Sequence, residues 1–404
     1  MSNTKHNQLV HILMLHNRYQ YAGGEDSSTL AEIEVLSEFG HQVTLVEKHN
    51  DEIKEYSSLE KLNLFFRTAW NPQEYYKARS RFQEIQPDLL HIQNFFPLFS
   101  PSIHAAAKSL NIPTVQHLRN FRLGCLNGYL LRQQNICEAC VGKNPWRGVA
   151  YRCYRNSVPA SLAVWNLLTY NRWRNTWEND VDAFITPSQF AAQKLIEIGI
   201  PEDRLYVKPN VTPDPLSDQT IPPFPKQPTF LFIGRLSPEK GVMILLEAWE
   251  KLAKPQWELK IVGDGEQREA LEQFVQEKAL NNVQFLGYQP KAEVIKNIKQ
   301  ATAIVVPSQW YETFGRVVIE AFACGRPVLA SNLGALAELV QDNETGFLIS
   351  HYTLESWVES LEWSGNHPLE IEKMGEKARQ IYQQNYTPDV NYQQMMRIYQ
   401  MILQ

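Results

Sequence analysis

Two carboxylates, Glu312 and Glu320, stand eight positions apart in the stretch PSQWYETFGRVVIEAFACGRPVLAS, Pro307 to Ser331. The apolar run before Pro307 predicts a buried strand, the loop after it carries Glu312, and a helical pattern starting between Phe314 and Arg316 carries Glu320. The first N–H groups of such a helix, with the positive end of its dipole, point into the loop and suit a phosphate or a polar sugar. Gly315 allows close backbone approach, and Gly325-Arg326-Pro327 ends the helix before the next strand, VLAS. Glu320, in the first turns, is placed to accept hydrogen bonds from hydroxyls of the same ligand. A phosphate and a polyol side by side describe a nucleotide sugar. Taken singly, Glu312 reads as well as a solvated loop residue, and Glu320 as an ordinary helix carboxylate.

The charge that a diphosphate needs is supplied upstream. TFLFIGRLSPEKG places Arg235 after a predicted strand and Lys240 directly before Gly241 and a helix, so two cations gather at the carboxyl end of a parallel strand. Fixed cations can stabilise a departing diphosphate without a metal ion. WELKIVGDGEQRE ends another strand in Gly263, Asp264 and Gly265, a turn that suits a base or phosphates. Arg268 stands where a dinucleotide fingerprint has its third glycine, which argues against hydride transfer.

In the first half, the loop Tyr21-Ala22-Gly23-Gly24-Glu25-Asp26 joins a strand to a helix, and its paired glycines let backbone approach a ligand. His91 and Asn94 close the strand in PDLLHIQNFFP and are candidates for the acceptor side; His91 reads equally well as a core histidine. PTVQHLRNFRLGC brings His117 and Arg119 to one face of its strand. A histidine there suits a sugar hydroxyl, whereas an arginine favours anionic groups on donor or acceptor.

Cys125, Cys137, Cys140 and Cys153 gather in one loop region around a Cys-x-x-Cys, while Cys324 stands alone in a helix. Four such thiols suit either a tetrahedral structural zinc or reduced, unligated cysteines. From Ala139 to Trp177 the chain has no acidic residue but carries Lys143, Arg147, Arg152, Arg155, Arg172 and Arg174 among tryptophans and tyrosines. That mixture suits an anionic membrane surface or a lipid-linked phosphate, or else a helix packed by its aromatics with solvated arginines.

Alternating strand and helix patterns must position these groups. VHILML, QVTLVE, LLHIQ, TVQHL and AFITP predict strands in the first half, and TFLFIGRL, WELKIVGDG, VQFLGY, AIVVPS and VLAS in the second. The expected organisation is an N-terminal, acceptor-side domain over 1–211, a proline-rich linker over 212–228 and a nucleotide-sugar-binding domain over 229–388. An amphipathic segment over about 389–404 follows. The 404 residues, 44% hydrophobic and of net charge −5, supply two cores and disfavour nucleic acid as a partner. The apolar run near the N-terminus is too short for a membrane span and reads as the first strand of a cytoplasmic protein.

The Glu312 to Glu320 spacing, with Arg235 and Lys240, resembles the signature of retaining glycosyltransferases of the GT-B fold, glycosyltransferase family 4. The resemblance implies two Rossmann-like doubly wound domains facing a cleft, with the last helix packed back on the first domain. It implies metal-independent hexosyl transfer, with retention, from a nucleoside diphosphate sugar to a hydroxyl acceptor in glycan, polysaccharide or glycolipid synthesis. Glu312, Arg235, Lys240, His117 and Arg119 would serve catalysis, and Gly23, Gly24, Gly263, Asp264, Phe314, Gly315, Arg316 and Glu320 would bind the donor. Family members commonly carry a histidine where Arg119 stands, so the roles of His117 and Arg119 are open. The rivals are a sugar-nucleotide epimerase of the same architecture and a non-catalytic sugar-nucleotide sensor.

Overall fold

A computed structural model describes residues 9–19, 24–217, 219–350 and 353–404. Gly23 lies outside them. The chain forms two compact units: the first runs to Leu130 and continues over Cys137–Val211 and Asn391–Gln404, and the second takes Leu131–Ile136 and Thr212–Val390.

In the first unit, β1 (His11–Arg18), β2 (Gln42–His49), β3 (Leu89–Asn94), β4 (Thr114–His117), β7 (Ala183–Thr186) and β8 (Leu205–Val207) form one parallel sheet in the order β2-β1-β3-β4-β7-β8. Between β4 and β7 in the chain lies a short antiparallel hairpin of β5 (Leu131–Arg132) and β6 (Asn135–Ile136). The inner strands are covered on both faces, which is why they read as continuous apolar runs rather than as alternation. Local signals fix the helices. Asn71 accepts from the N–H groups of Gln73 and Glu74 ahead of Pro72, and Ser188 caps the helix Gln189–Ile198, which Gly199 ends. The final helix, Pro388–Ile402, contributes Tyr392, Met395, Met396 and Tyr399 to the core formed by Ile12, Met14 and Ile185. Each such side chain, taken out of water, contributes roughly 1.5–3 kcal/mol.

The second unit repeats the plan with β9 (Thr229–Ile233), β10 (Glu258–Val262), β11 (Val283–Gly287), β12 (Ala303–Val306), β13 (Val328–Ser331) and β14 (Gly346–Ile349), ordered β11-β10-β9-β12-β13-β14, all parallel. Its proline-rich entry is held by side chains. Arg379 makes a two-pronged contact with Asp214 at 2.7 and 2.8 Å, and the fully buried Arg326 donates to the carbonyls of Pro222, Pro223 and Lys299. The guanidinium geometry matches this work, since one rigid group satisfies several acceptors in a segment that proline bars from helix or sheet.

Candidate functional site

Because β10, β9 and β12 are neighbours, the loops leaving their carboxyl ends meet, the position at which open parallel sheets take ligands. Hydrogen bonds knit the loops together: Leu236 N–H to Asp264 O at 2.9 Å, Gln309 N–H to Glu239 O at 2.8 Å and Ala335 N–H to Glu312 O at 3.2 Å. Two glycines make this approach possible. At Gly263, with φ +142°, a Cβ would stand 1.8 Å from Gly234 O, and at Gly241, with φ +69°, it would stand 2.0 Å from Pro307 O.

Lys240 Nζ lies 2.6 Å from Glu312 Oε1, which also accepts from Ser308 Oγ at 2.9 Å. Burial alone would raise the Glu312 carboxyl; Lys240 and the hydrogen bonds from Lys240, Ser308 and Trp310 outweigh it and hold the group below the usual value. Glu312 is therefore a fixed, ionised carboxylate. The Lys240 ammonium also lies 5.3 Å from the centre of the Trp310 ring. Arg235 is exposed on the neighbouring loop.

The helix after Glu312 spans Arg316–Ala323 and opens at Gly315, φ +85°. Arg316 Nη2 pairs with Glu320 Oε1 at 3.3 Å on its first turn. The Phe314 side chain is 3% exposed and packs in the core beside Tyr386, so Phe314 offers a ligand only its backbone. Asp264 accepts from Gly265 N–H at 2.8 Å and pairs with Arg268 at 3.1 Å, which locks the turn after β10.

The first unit handles its candidates differently. Gly24 begins the helix Gly24–Glu38. Arg119 is buried and donates to Glu32, Gln93 and Asn210, so its guanidinium is committed within the unit. Glu32 also binds Lys208 Nζ at 3.0 Å. Burial would raise the Glu32 carboxyl, but Lys208 and then Arg119 carry it well below the usual range. His91 is fully buried, with its Nδ1 2.7 Å from the Tyr399 hydroxyl, and burial lowers its pKa to about 3. Asn94 donates to Asn17 O at 2.8 Å and accepts from Phe96 N–H at 3.0 Å. His91 and Asn94 thus make internal bonds. His117, 2% exposed, stacks on His91 at 5.6 Å, and burial holds it neutral well below its ordinary value. The donor atoms of Glu32, His91 and His117 lie within 4.8 Å of one another, but two cations already neutralise the carboxylate there.

Among the described residues, no three of the cysteine sulfurs converge to that spacing. Cys125 donates to Asn127 Oδ1 at 3.0 Å, and burial, then Cys125, raise the Cys140 thiol. Burial pushes the Cys324 thiol up to about 12. The basic, aromatic stretch leaves Trp146 53%, Tyr151 48% and Trp173 78% exposed, whereas Trp177 is 3% exposed and belongs to the core.

Sequence reasoning missed Ser308, Glu32, Lys208 and Arg122. Glu32 had a legible signal, since it shares a helical stripe with Ser28, Val35 and Leu36. Lys208 had none, being a lone lysine before Pro209.

Residues 22–213 match the family described as Glycosyltransferase Family 4, and residues 215–381 match Glycosyl transferases group 1. An uncharacterized glycosyltransferase of Haemophilus influenzae is 36% identical over 155 residues, 37% of this chain and 43% of that protein. A D-inositol 3-phosphate glycosyltransferase of Nocardia farcinica is 30% identical over 201 residues, 45% of this chain and 44% of its own length. The chain spans less than half the length of these curated relatives. In fold it is similar to Anabaena Alr3699/HepE in complex with UDP, at TM-score 0.68 and 19% identity over 96% of this chain and 99% of that one. With both units matched almost end to end, the chain belongs to the group 1, family 4 glycosyltransferases and has their GT-B fold.

Proposed function

We propose that this protein transfers a sugar from a nucleoside diphosphate sugar to a hydroxyl acceptor. The observation that carries the proposal is the ionised Glu312, fixed by Lys240 and Ser308 on the loop that opens the helix Arg316–Ala323. Lys240 and Arg235 take the diphosphate and stabilise the charge that builds on it as the glycosidic bond breaks. Amides around Gly315 meet donor oxygens, Glu312 orients the sugar, and Glu320 holds the ribose. Gly263 and Asp264 shape the turn beside the base. UDP in the Anabaena neighbour supports a uridine donor as the first to test. Retention of configuration and metal-independent chemistry are part of the proposal, and rest on the match between this site and the family signature.

Incubation with nucleotide sugars and candidate acceptors tests the reading. Nucleoside diphosphate and a glycosylated acceptor should appear together. Conversion of the donor sugar without acceptor would instead identify an epimerase, and donor binding without turnover a sensor.

We also place the enzyme at the cytoplasmic face of an anionic membrane, where Trp146, Tyr151 and Trp173 enter the interface and the arginines around them meet lipid phosphate. Among the described residues no helix is long and apolar enough to cross a membrane. A structural zinc on Cys125, Cys137, Cys140 and Cys153 is proposed from the sequence pattern alone.

A further inference from the structure

A second charged corner lies wholly inside the first unit. Arg122 is 9% exposed, and the carboxylate that acts on its charge is that of Glu25, which forms no ion pair with it. Its guanidinium sits 4.4 Å from the centre of the Phe96 ring and 5.5 Å from that of Tyr154, and its remaining polar contact is a long one, 3.5 Å to Leu126 O. Ring faces offset part of the cost of burying a cation, but they neutralise no charge. Beside it, both ring nitrogens of His117 are buried without a hydrogen-bond partner. Glu25 accepts from Asn120 Nδ2 at 2.9 Å through Oε1 and is hydrogen-bonded with the Tyr19 hydroxyl, while its buried Oε2 has no partner within hydrogen-bond geometry. Arg122, His117, Glu25 and Asn120 line one small cavity of about 30 Å³. That is room for one water-sized group, such as a single oxygen of a phosphate or carboxylate.

Unsatisfied buried groups of this kind are uncommon, and two residues that carry them around one cavity, His117 and Glu25, need a common cause. The neighbouring Arg119 is engaged by hydrogen bonds to Glu32, Gln93 and Asn210, whereas Arg122 has the Glu25 charge nearby and one long bond to Leu126 O. We propose that this corner is an oxyanion subsite: a phosphate or carboxylate group of a ligand accepts from Arg122 and from His117. Glu25 Oε2 takes a hydroxyl of the same ligand. Resting on the transferase reading, the ligand is an acceptor that carries an oxyanion near a hydroxyl. Recognition of this type favours arginine, whose planar fork stays charged when buried.

The test follows thermal unfolding of the full chain with inorganic phosphate, acetate or chloride at equal ionic strength. It is run in an Arg235→Ala/Lys240→Ala background, which removes the other phosphate-attracting cations. Phosphate or acetate should stabilise beyond chloride, and whichever does so identifies the oxyanion. Arg122→Gln should raise the apparent dissociation constant of that ion roughly tenfold or more. If Arg122→Gln does not fold, Glu25→Gln decides: removing the like charge should tighten the ion. Stabilisation no greater than with chloride, or unchanged by both substitutions, overturns the proposal. Nucleotide binding by the unsubstituted chain is measured separately, so failure here leaves the transferase reading standing, and the reverse.

Discussion

Lys240 Nζ and Glu312 Oε1 stand 2.6 Å apart across loops that leave the adjacent parallel strands β9 and β12. On the proposed reading, the lysine that would meet the diphosphate also fixes the carboxylate that would orient the sugar. Donor binding there would share one positive charge between two anions and so couple the two halves of the donor electrostatically.

Glu312→Ala should therefore lower kcat by ~100-fold or more while the protein stays folded, since the carboxylate acts on charge that develops in the transition state. Glu320→Ala should mainly raise the donor KM, by about tenfold, because a ribose contact is shared by ground and transition states. Steady-state kinetics on both variants, with circular dichroism as the fold control, makes the comparison. Equal effects on kcat would contradict the division of roles.

Chelation should leave transfer unchanged, because Arg235, Lys240 and the helix N-terminus carry the positive charge. Rates are compared before and after a chelator, then with magnesium or manganese restored. Activity lost and regained with the divalent ion would transfer the diphosphate role from these side chains to a metal.

Acid should destabilise the first unit through His91. Its folded pKa is lowered from 6.5 to about 3. Above the unfolded value neither state binds a proton there, so nothing is lost. As pH falls from about 6.5 toward 3, the unfolded chain binds a proton that the folded chain resists, and stability declines through that window. Glu32, Arg119, Lys208, His117 and Tyr399 surround the ring; of these, His117, also lowered by burial, and Glu32, held low by Lys208 and then Arg119, add to the decline. Denaturant unfolding near neutral and mildly acid pH should show a smaller acid loss in His91→Gln than in the parent. Equal losses would place the acid sensitivity elsewhere.

The parts legible in the sequence were those with a local chemical signature. Ten strands were legible, the inner ones as apolar runs because both of their faces are buried, and Gly241, Gly263 and Gly315 showed because loop backbones meet there. β8 and β14 were not read: the three residues of β8 are only half-buried, and β14 begins with a glycine. What stayed hidden depends on long-range pairing. Nothing local tells Arg119, which bonds Glu32 87 positions away, from Arg122, which forms no ion pair among the described residues. Nothing local makes the buried Lys208 a partner of Asn391, 183 positions away.

Vesicle co-sedimentation addresses the exposed aromatics. The parent should pellet with anionic vesicles more than with neutral ones, salt should release it, and Trp173→Ala should weaken the effect. Equal recovery in the supernatant with both vesicle types would favour a soluble acceptor.

The most direct test is calorimetric titration of UDP, GDP and ADP sugars into the parent chain and into Lys240→Ala. At least one should bind the parent, with nucleoside diphosphate alone retaining much of the affinity, and Lys240→Ala should weaken that binding by about tenfold or more. A folded parent that binds none of them, or an affinity that Lys240→Ala leaves unchanged, would contradict a diphosphate site built on Lys240 and Glu312.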